Sequence, residues 1–394
     1  MLDHLHKWLL HGLRAVILQG NRPRQIGAET LLRPPNARTQ PKGLQGRKRA
    51  CRGTVGLDFR GPACHGKPMS APVIPSVSVV ITARDAAATI GDAVRSALAE
   101  PETAEVIVVD DASRDATAAA AQAAGGGDGR LRVIRCAVNG GPAAARNRAL
   151  EVAAGRFVAV LDADDFLLPG RFARLLAVPD WDMVADNILF VAEEASPAAL
   201  PPVPPAGPAL IDLDLEGFVR ANRSVRGAGR QEWGFLKPVM SRDFLTRHGL
   251  RYDEALRLGE DYDLYVRMLQ KGARFRVSAQ VGYAARWRAD SLSSRHRTAD
   301  LRALHAAARA HLALPGLDAA ARAALSAHEA ELRRRFLLRD FLDRRARLGR
   351  AGAVLGALCR PATLVPVARG ILSDKLAARR PRPPSRIGRL LIEG

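Results

Sequence analysis

The chain has 394 residues, room for one large α/β domain or two ordinary ones with a sizeable core. Its formal charge of +20 sits at the ends: residues 1–68 hold 13 Lys/Arg against 3 Asp/Glu, residues 331–394 hold 16 against 5, and the 262 residues between them hold 31 against 32. That distribution excludes a nucleic-acid-binding body, and four cysteines (Cys51, Cys64, Cys136, Cys359) without a C-x-x-C pair exclude a zinc cage or a disulfide scaffold and fit a reducing, cytoplasmic compartment.

Residues 1–68 mix Arg, Gly, Pro and Gln without a sustained period, and the Trp8-Leu9-Leu10 cluster is too short for a signal-peptide core. The character changes at Met69, so we expect a basic, disordered or mis-called extension over 1–68, with Met69 as the true start, a catalytic domain over 69–298 and a helical, basic region over 299–394. Val77–Thr82 reads as a buried strand, and Ile90, Val94 and Leu98 share one face of a helix. Val106–Val109 is a second strand, followed by an Ala-rich helix over Thr117–Ala124 that stops at Gly125-Gly126-Gly127. Leu131–Ile134 is a third strand, Ala143–Ala153 a helix closed by Gly155, and Phe157–Leu161 a fourth strand. Such alternation predicts an α/β fold with a mostly parallel sheet covered on both sides. Leu200–Pro208 reads as a connector, 210–285 as short mixed elements, Ala299–Gly349 as helix by propensity, and Arg379–Pro384 as a basic tail. No apolar run is long enough to span a bilayer.

The carboxylates cluster at strand ends, where open parallel sheets bind ligands. Asp110-Asp111 follows the second strand and Asp162-Ala163-Asp164-Asp165 the fourth. Several carboxylates at the end of an apolar strand are costly unless a cation or hydrogen-bond donors meet them. A hard divalent ion held by one or two carboxylates and by phosphate oxygens meets that need. Asp110-Asp111 alone reads equally well as a turn and cap with Ser113 and Asp115; both clusters on successive strand ends favour a site.

The runs Val79–Thr82, Val108–Ser113, Asn139–Asn147 and Leu161–Asp165, with Gly259–Leu264 further on, resemble in order and spacing the signatures of family 2 glycosyltransferases. The resemblance covers about residues 76–285 and implies a GT-A fold: a nucleotide-sugar-binding, mixed but mostly parallel sheet flanked by helices, here with a helical C-terminal extension. Carried over position by position, it implies that Thr82, Arg84, Asp111, Arg146 and Asp162 line the nucleotide site, with Asp111 accepting the uracil N–H. This chain has Arg84-Asp85 where the family often has an aromatic residue and Asn. The resemblance makes Asp162-x-Asp164 the D-x-D element, with Asp164 and Asp165 as metal positions for Mn²⁺ or Mg²⁺ and with Asp162 or Asp165 on ribose or metal-bound water. It makes Asp261 the general base and Glu260 its neighbour; without it, Glu260-Asp261 reads as a capping pair ahead of the helical pattern Tyr262, Tyr265, Val266, Leu269. Trp233 is a candidate platform for an acceptor sugar, and Arg286–Arg297, with Trp287 and His296, a candidate contact for diphosphate; core packing and a solvated loop are the respective alternatives.

The expected reaction is an inverting, metal-dependent transfer from a UDP-sugar to an acceptor hydroxyl. A nucleotidyltransferase acting on a sugar phosphate is the alternative, although its Gly-rich loop with Arg and Lys is absent after the first strand. No G-x-G-x-x-G follows that strand either, which excludes a dinucleotide-dependent oxidoreductase. Gly234–Leu264 is similar to exopolysaccharide glycosyltransferases of the succinoglycan type, which implies a saccharide or lipid-linked saccharide acceptor. Arg333-Arg334-Arg335, Arg344-Arg345 and Arg379-Arg380 beside Phe336, Leu337, Leu338, Phe341 and Leu342 suit peripheral contact with an anionic membrane on its cytoplasmic face; packing of that apolar face on the body is the equal alternative.

Overall fold

The computed structural model describes residues 76–200, 210–223, 232–287, 296–359, 363–377 and 387–392. The expectations for 1–68 and Met69, for the connector beyond Leu200 and for Arg379–Pro384 lie outside the described residues.

The first half follows the alternating pattern. Strand β1 (Val77–Ala83) leads to α1 (Ile90–Leu98), β2 (Thr103–Asp110), α2 (Thr117–Gly125), β3 (Leu131–Arg135), α3 (Gly141–Val152) and β4 (Phe157–Asp162). Val79 and Ile81 point to one side of the sheet, into a core with Ile90, Ala93 and Val94 of α1; Val80 points to the other, against Ala145 and Ala149 of α3. A strand buried on both faces needs apolar residues at consecutive positions, and each such side chain stabilises the fold by roughly 1.5–3 kcal/mol.

The second half departs from a mostly parallel sheet. β5 (Phe166–Leu167), α4 (Arg171–Leu176), β6 (Met183–Val191), β7 (Leu210–Leu213), α5 (Leu215–Ala221), β8 (Val239–Ser241), α6 (Arg242–Arg247), α7 (Glu260–Gln270) and β9 (Phe275–Arg286) follow. Among the described residues nine strands form one sheet in the order β3-β2-β1-β4-β8-β6-β9-β5, with β7 also on β9. β2, β1 and β4 keep parallel neighbours, but β8 runs antiparallel to both β4 and β6, and β5 and β7 antiparallel to β9. β6 and β9 pair in parallel, with α7 in the connection between them, so this half of the sheet is mixed.

Three helices close the described chain: α8 (Thr298–Ala313), α9 (Ala319–Leu358), broken at Gly349, and α10 (Leu364–Ala377). None is long and apolar enough to cross a membrane. α8 lies against the turn that opens α7, where Gly259 has φ 74° and an added Cβ would meet Leu304 Cδ2 at 2.8 Å. Arg257 grips Asp300 at 3.0 and 2.9 Å, and His311 Nε2 sits 2.8 Å from Asp263 Oδ1. The basic C-terminal stretch also returns to the sheet: Leu390 bridges Leu189, and the Asn187 side chain both donates to the Ile392 carbonyl and accepts from its N–H.

Candidate functional site

The loops after β1 and β2 are laced to each other. Asp85 takes its N–H to Ser113 Oγ and accepts from the Arg114 N–H, while Ala87 donates to Asp115. Thr82 lies in register between Val109 and Asp162. Arg84 is half-exposed, 3.7 Å from Asp85. Asp111 is buried and accepts from Asn139 Nδ2 at 2.5 Å and from the Gly140 and Gly141 N–H groups at 2.8 and 2.9 Å. It thereby fixes the turn that starts α3. A carboxylate offers about four acceptor positions, so one remains for an incoming N–H.

From α3, Arg146 reaches the end of β4 and the start of α7 together. Its guanidinium lies 3.1 Å from Asp162, 3.1 Å from Asp261, and in a shorter contact with Glu260. Arg146 is 4% exposed, so its charge depends on these three carboxylates. The neighbouring Asn147 secures the same wall: its side chain bonds the Tyr252 backbone in both directions, and the Tyr252 ring lies under Arg146.

Lys237 completes the network, and sequence reasoning passed over it. Its Nζ is 2.9 Å from Asp162 and 2.9 Å from Asp261, and the residue is 6% exposed. Burial raises the Asp162 carboxyl, but Lys237 and Arg146 outweigh it and hold the group at about 2. Asp162 is therefore an anion at neutral pH. Burial pushes Glu260 up, with Arg146 opposing. Asp261 Oδ2 accepts from Lys237; Oδ1, though 3.1 Å from Arg146, is buried with no donor aligned on it.

The three aspartates after β4 face different surroundings. Asp165 is 6% exposed and spends one oxygen on the Tyr283 hydroxyl at 2.8 Å and the other on the Arg286 N–H at 2.9 Å. Burial, and then Asp164 and Asp162, push its carboxyl well above the ordinary range. Asp164 is half-buried, and its carbonyl takes the Arg286 guanidinium. Three carboxyl groups crowded on four residues are a donor set that a divalent cation would relieve. Asp165, with one bond on each oxygen, serves as a strut between this loop and β9.

For Trp233 the core-packing alternative holds, and Arg286 is withdrawn from the expected diphosphate contact. Trp233 is 7% exposed within the main core, so it offers no open face to a sugar. Arg286 is buried and engaged by Asp92, Ala195, Asp164 and the Phe166 ring, so it has no free donor edge for a diphosphate. Residues 288–295 of that stretch lie outside the described residues.

A sequence model described as glycosyl transferase family 2 matches residues 78–197, from β1 past the three aspartates. The succinoglycan biosynthesis protein ExoU of Rhizobium meliloti (strain 1021) is 49% identical over 313 residues, covering 79% of this chain and 92% of that protein. The chain belongs to family 2 of the glycosyltransferases. Another relative from the same organism, the succinoglycan biosynthesis protein ExoO, is 38% identical over 258 residues, covering 62% of this chain and 70% of that protein. A more distant likeness is to S. aureus TarS in complex with UDP-GlcNAc: 20% identity, TM-score 0.47, covering 69% of this chain and 74% of that one. In this family 2 glycosyltransferase, the matched segment supplies Thr82, Asp111, Arg146 and Asp162, while Lys237, Glu260 and Asp261 come from beyond it.

Proposed function

We propose that this glycosyltransferase moves a sugar from a UDP-sugar to an acceptor hydroxyl with inversion at the anomeric carbon, and that Asp261 is the base. The observation that carries the reading is the state of Asp261. One oxygen is fixed by Lys237 and the other is buried without an aligned donor, in the first turn of α7. An oriented carboxylate with an unused acceptor position can take a proton from a hydroxyl as that oxygen attacks. In the reaction the acceptor oxygen forms its bond to the anomeric carbon, the bond from that carbon to the diphosphate oxygen breaks, and the proton passes to Asp261. Glu260 binds Arg146 and supports the site without entering the chemistry.

For the donor, Thr82, Arg84, Asp111 and Arg146 line the nucleotide side, with the remaining acceptor position of Asp111 directed to the uracil N–H. Asp164 is the residue that would hold a divalent cation, Mn²⁺ or Mg²⁺; Asp162, already paired with Lys237 and Arg146, is a better partner for ribose or for a metal-bound water. No three His, Cys, Asp or Glu side chains converge as a preformed cage among the described residues, so such an ion would draw its remaining ligands from the diphosphate and water. Bound there, it offsets the negative charge on the leaving group.

The names of the relatives ExoU and ExoO, both succinoglycan biosynthesis proteins, favour a polysaccharide under synthesis as acceptor; the basic C-terminal region adds the reading that this acceptor is carried on a lipid, with the enzyme held peripherally at the cytoplasmic face of the membrane. The test is a donor screen with purified protein, reading UDP release for each nucleotide sugar in the presence of a saccharide acceptor. Release of pyrophosphate in place of UDP would move the protein to the nucleotidyltransferases.

A further inference from the structure

Away from the carboxylate network, α5, α9 and α10 enclose a cleft of about 420 Å³. Its walls carry four arginines, Arg223, Arg333, Arg334 and Arg369, against one acidic residue, Glu331. Elsewhere in the fold, Arg146, Arg171, Arg257 and Arg344 each meet a carboxylate; in the cleft Arg223 is half-buried and Arg333, Arg334 and Arg369 are exposed. The four in the cleft form no ion pair among the described residues, and Nε of Arg223 is buried without a hydrogen-bond partner. Four guanidiniums facing one cleft repel one another, and a planar donor fork suits phosphate oxygens. The cleft thus has the charge and donors for a phosphate group.

The same helices carry a second feature. Of the eleven large apolar side chains exposed among the described residues, six lie on the end of α9 and on α10: Leu348, Leu355, Leu358, Leu364, Val365 and Leu372. Val365 lines the cleft itself. A soluble phosphate compound or a nucleic acid would gain little from this apolar surface. A phospholipid presents both chemistries at the right order of depth, an anionic headgroup above and acyl chains below.

We propose that the cleft between α5, α9 and α10 binds the phosphate headgroup of an anionic phospholipid, while the aliphatic residues of α9 and α10 enter the acyl layer. This rests on the peripheral membrane contact proposed above and assigns it a site. It also separates roles within the C-terminal region: the arginines of this cleft take up lipid, whereas Arg344 is spent on Asp340 and Arg339 on Asp343.

The test is co-sedimentation of the full chain with vesicles of phosphatidylcholine alone or mixed in equal parts with phosphatidylglycerol. Two variants are compared with the parent: R333Q/R334Q/R369Q, and L355S/L358S/L364S. UDP binding, expected to be unchanged in both, reports that the fold survives. The parent should bind only the anionic vesicles, less so as salt rises. The arginine variant should partition about a hundredfold more weakly, from about 1 kcal/mol per basic residue near an anionic surface. The leucine variant should also lose binding, and inorganic phosphate should displace the parent from vesicles no more than sodium chloride of equal ionic strength does. If the parent binds and the arginine variant binds equally, the cleft is not the site although the membrane reading stands. If phosphate displaces the parent beyond the effect of equal ionic strength, the cleft takes a free anion and not a bilayer lipid; if the leucine variant binds normally, the aliphatic residues do not enter the acyl layer; either result overturns the proposal. If the parent ignores anionic vesicles at low salt, both readings fall.

Discussion

Lys237 Nζ lies 2.9 Å from Asp261 Oδ2, and the same ammonium lies 2.9 Å from Asp162, so one buried cation joins the loop after β4 to the first turn of α7. Replacing it by Met removes that tie and leaves two buried carboxylates leaning on Arg146 alone. Misplacing a reacting group by about 1 Å costs on the order of 10² in rate. Lys237→Met should therefore lower kcat by about that factor and reduce thermal stability, while Lys237→Arg recovers part of both. Steady-state kinetics and a melting curve check this. Near-normal kcat in the Met variant would mean that Asp261 is oriented without the lysine.

Asp261→Asn keeps the shape and removes the proton acceptor. Loss of a general base typically costs about 10²–10⁴ in rate. The variant should lose transfer to that extent while its affinity for UDP, measured calorimetrically, stays close to the parent value. If turnover survives, the base is elsewhere.

The network was half legible in the sequence. Asp162, Arg146, Glu260 and Asp261 stand in ordered motifs, and the structure brings all three carboxylates within ion-pair distance of Arg146. Lys237 stands in no such motif and reaches Asp261 from 24 residues away in the chain. A signal did exist: the lysine stands between Leu236 and Val239-Met240, all three buried, and a buried lysine needs a partner. For Trp233 the core-packing alternative is the one the structure takes, since an aromatic residue near a site packs in the core as readily as it faces a sugar. The antiparallel half of the sheet was obscured because β5, β7 and β8 have only two to four residues each, too few to show a period.

A separate pair tests how the sheet supports the site. Arg171 and Asp186 form a fully buried bidentate pair, and Arg171 also donates to the Lys237 carbonyl. Gly282 makes room for it: a Cβ there would meet Asp186 Oδ2 at 1.8 Å. Asp186→Asn leaves the guanidinium uncompensated, so it should cost about 3–5 kcal/mol by denaturant unfolding. Gly282→Ala should cost a comparable amount. The double change Arg171→Met with Asp186→Leu should be milder than Asp186→Asn, since it removes both charges together; a double variant as unstable as the single one would show that shape, not charge, sets the cost.

The last prediction concerns the cation. Asp162 is paired with Lys237 and Arg146, and Asp165 bridges Tyr283 and the Arg286 N–H; Asp164, half-buried at the second carboxylate of the D-x-D element, is the one we propose to carry a metal to the diphosphate. UDP should therefore bind more tightly with Mn²⁺ or Mg²⁺ than in EDTA, and Asp164→Asn should abolish that difference while leaving the metal-free affinity unchanged. Asp165→Asn should behave differently. It replaces a carboxyl that burial and its neighbours already push toward the neutral form and keeps an oxygen for Tyr283 or the Arg286 N–H, so the cation effect should persist. Isothermal calorimetry of UDP against the parent and both variants, each with Mn²⁺, Mg²⁺ and EDTA, separates these roles. Equal affinity for the parent in all three conditions would remove the metal from the donor site. A cation effect lost in Asp165→Asn but kept in Asp164→Asn would exchange the parts assigned here to the two residues.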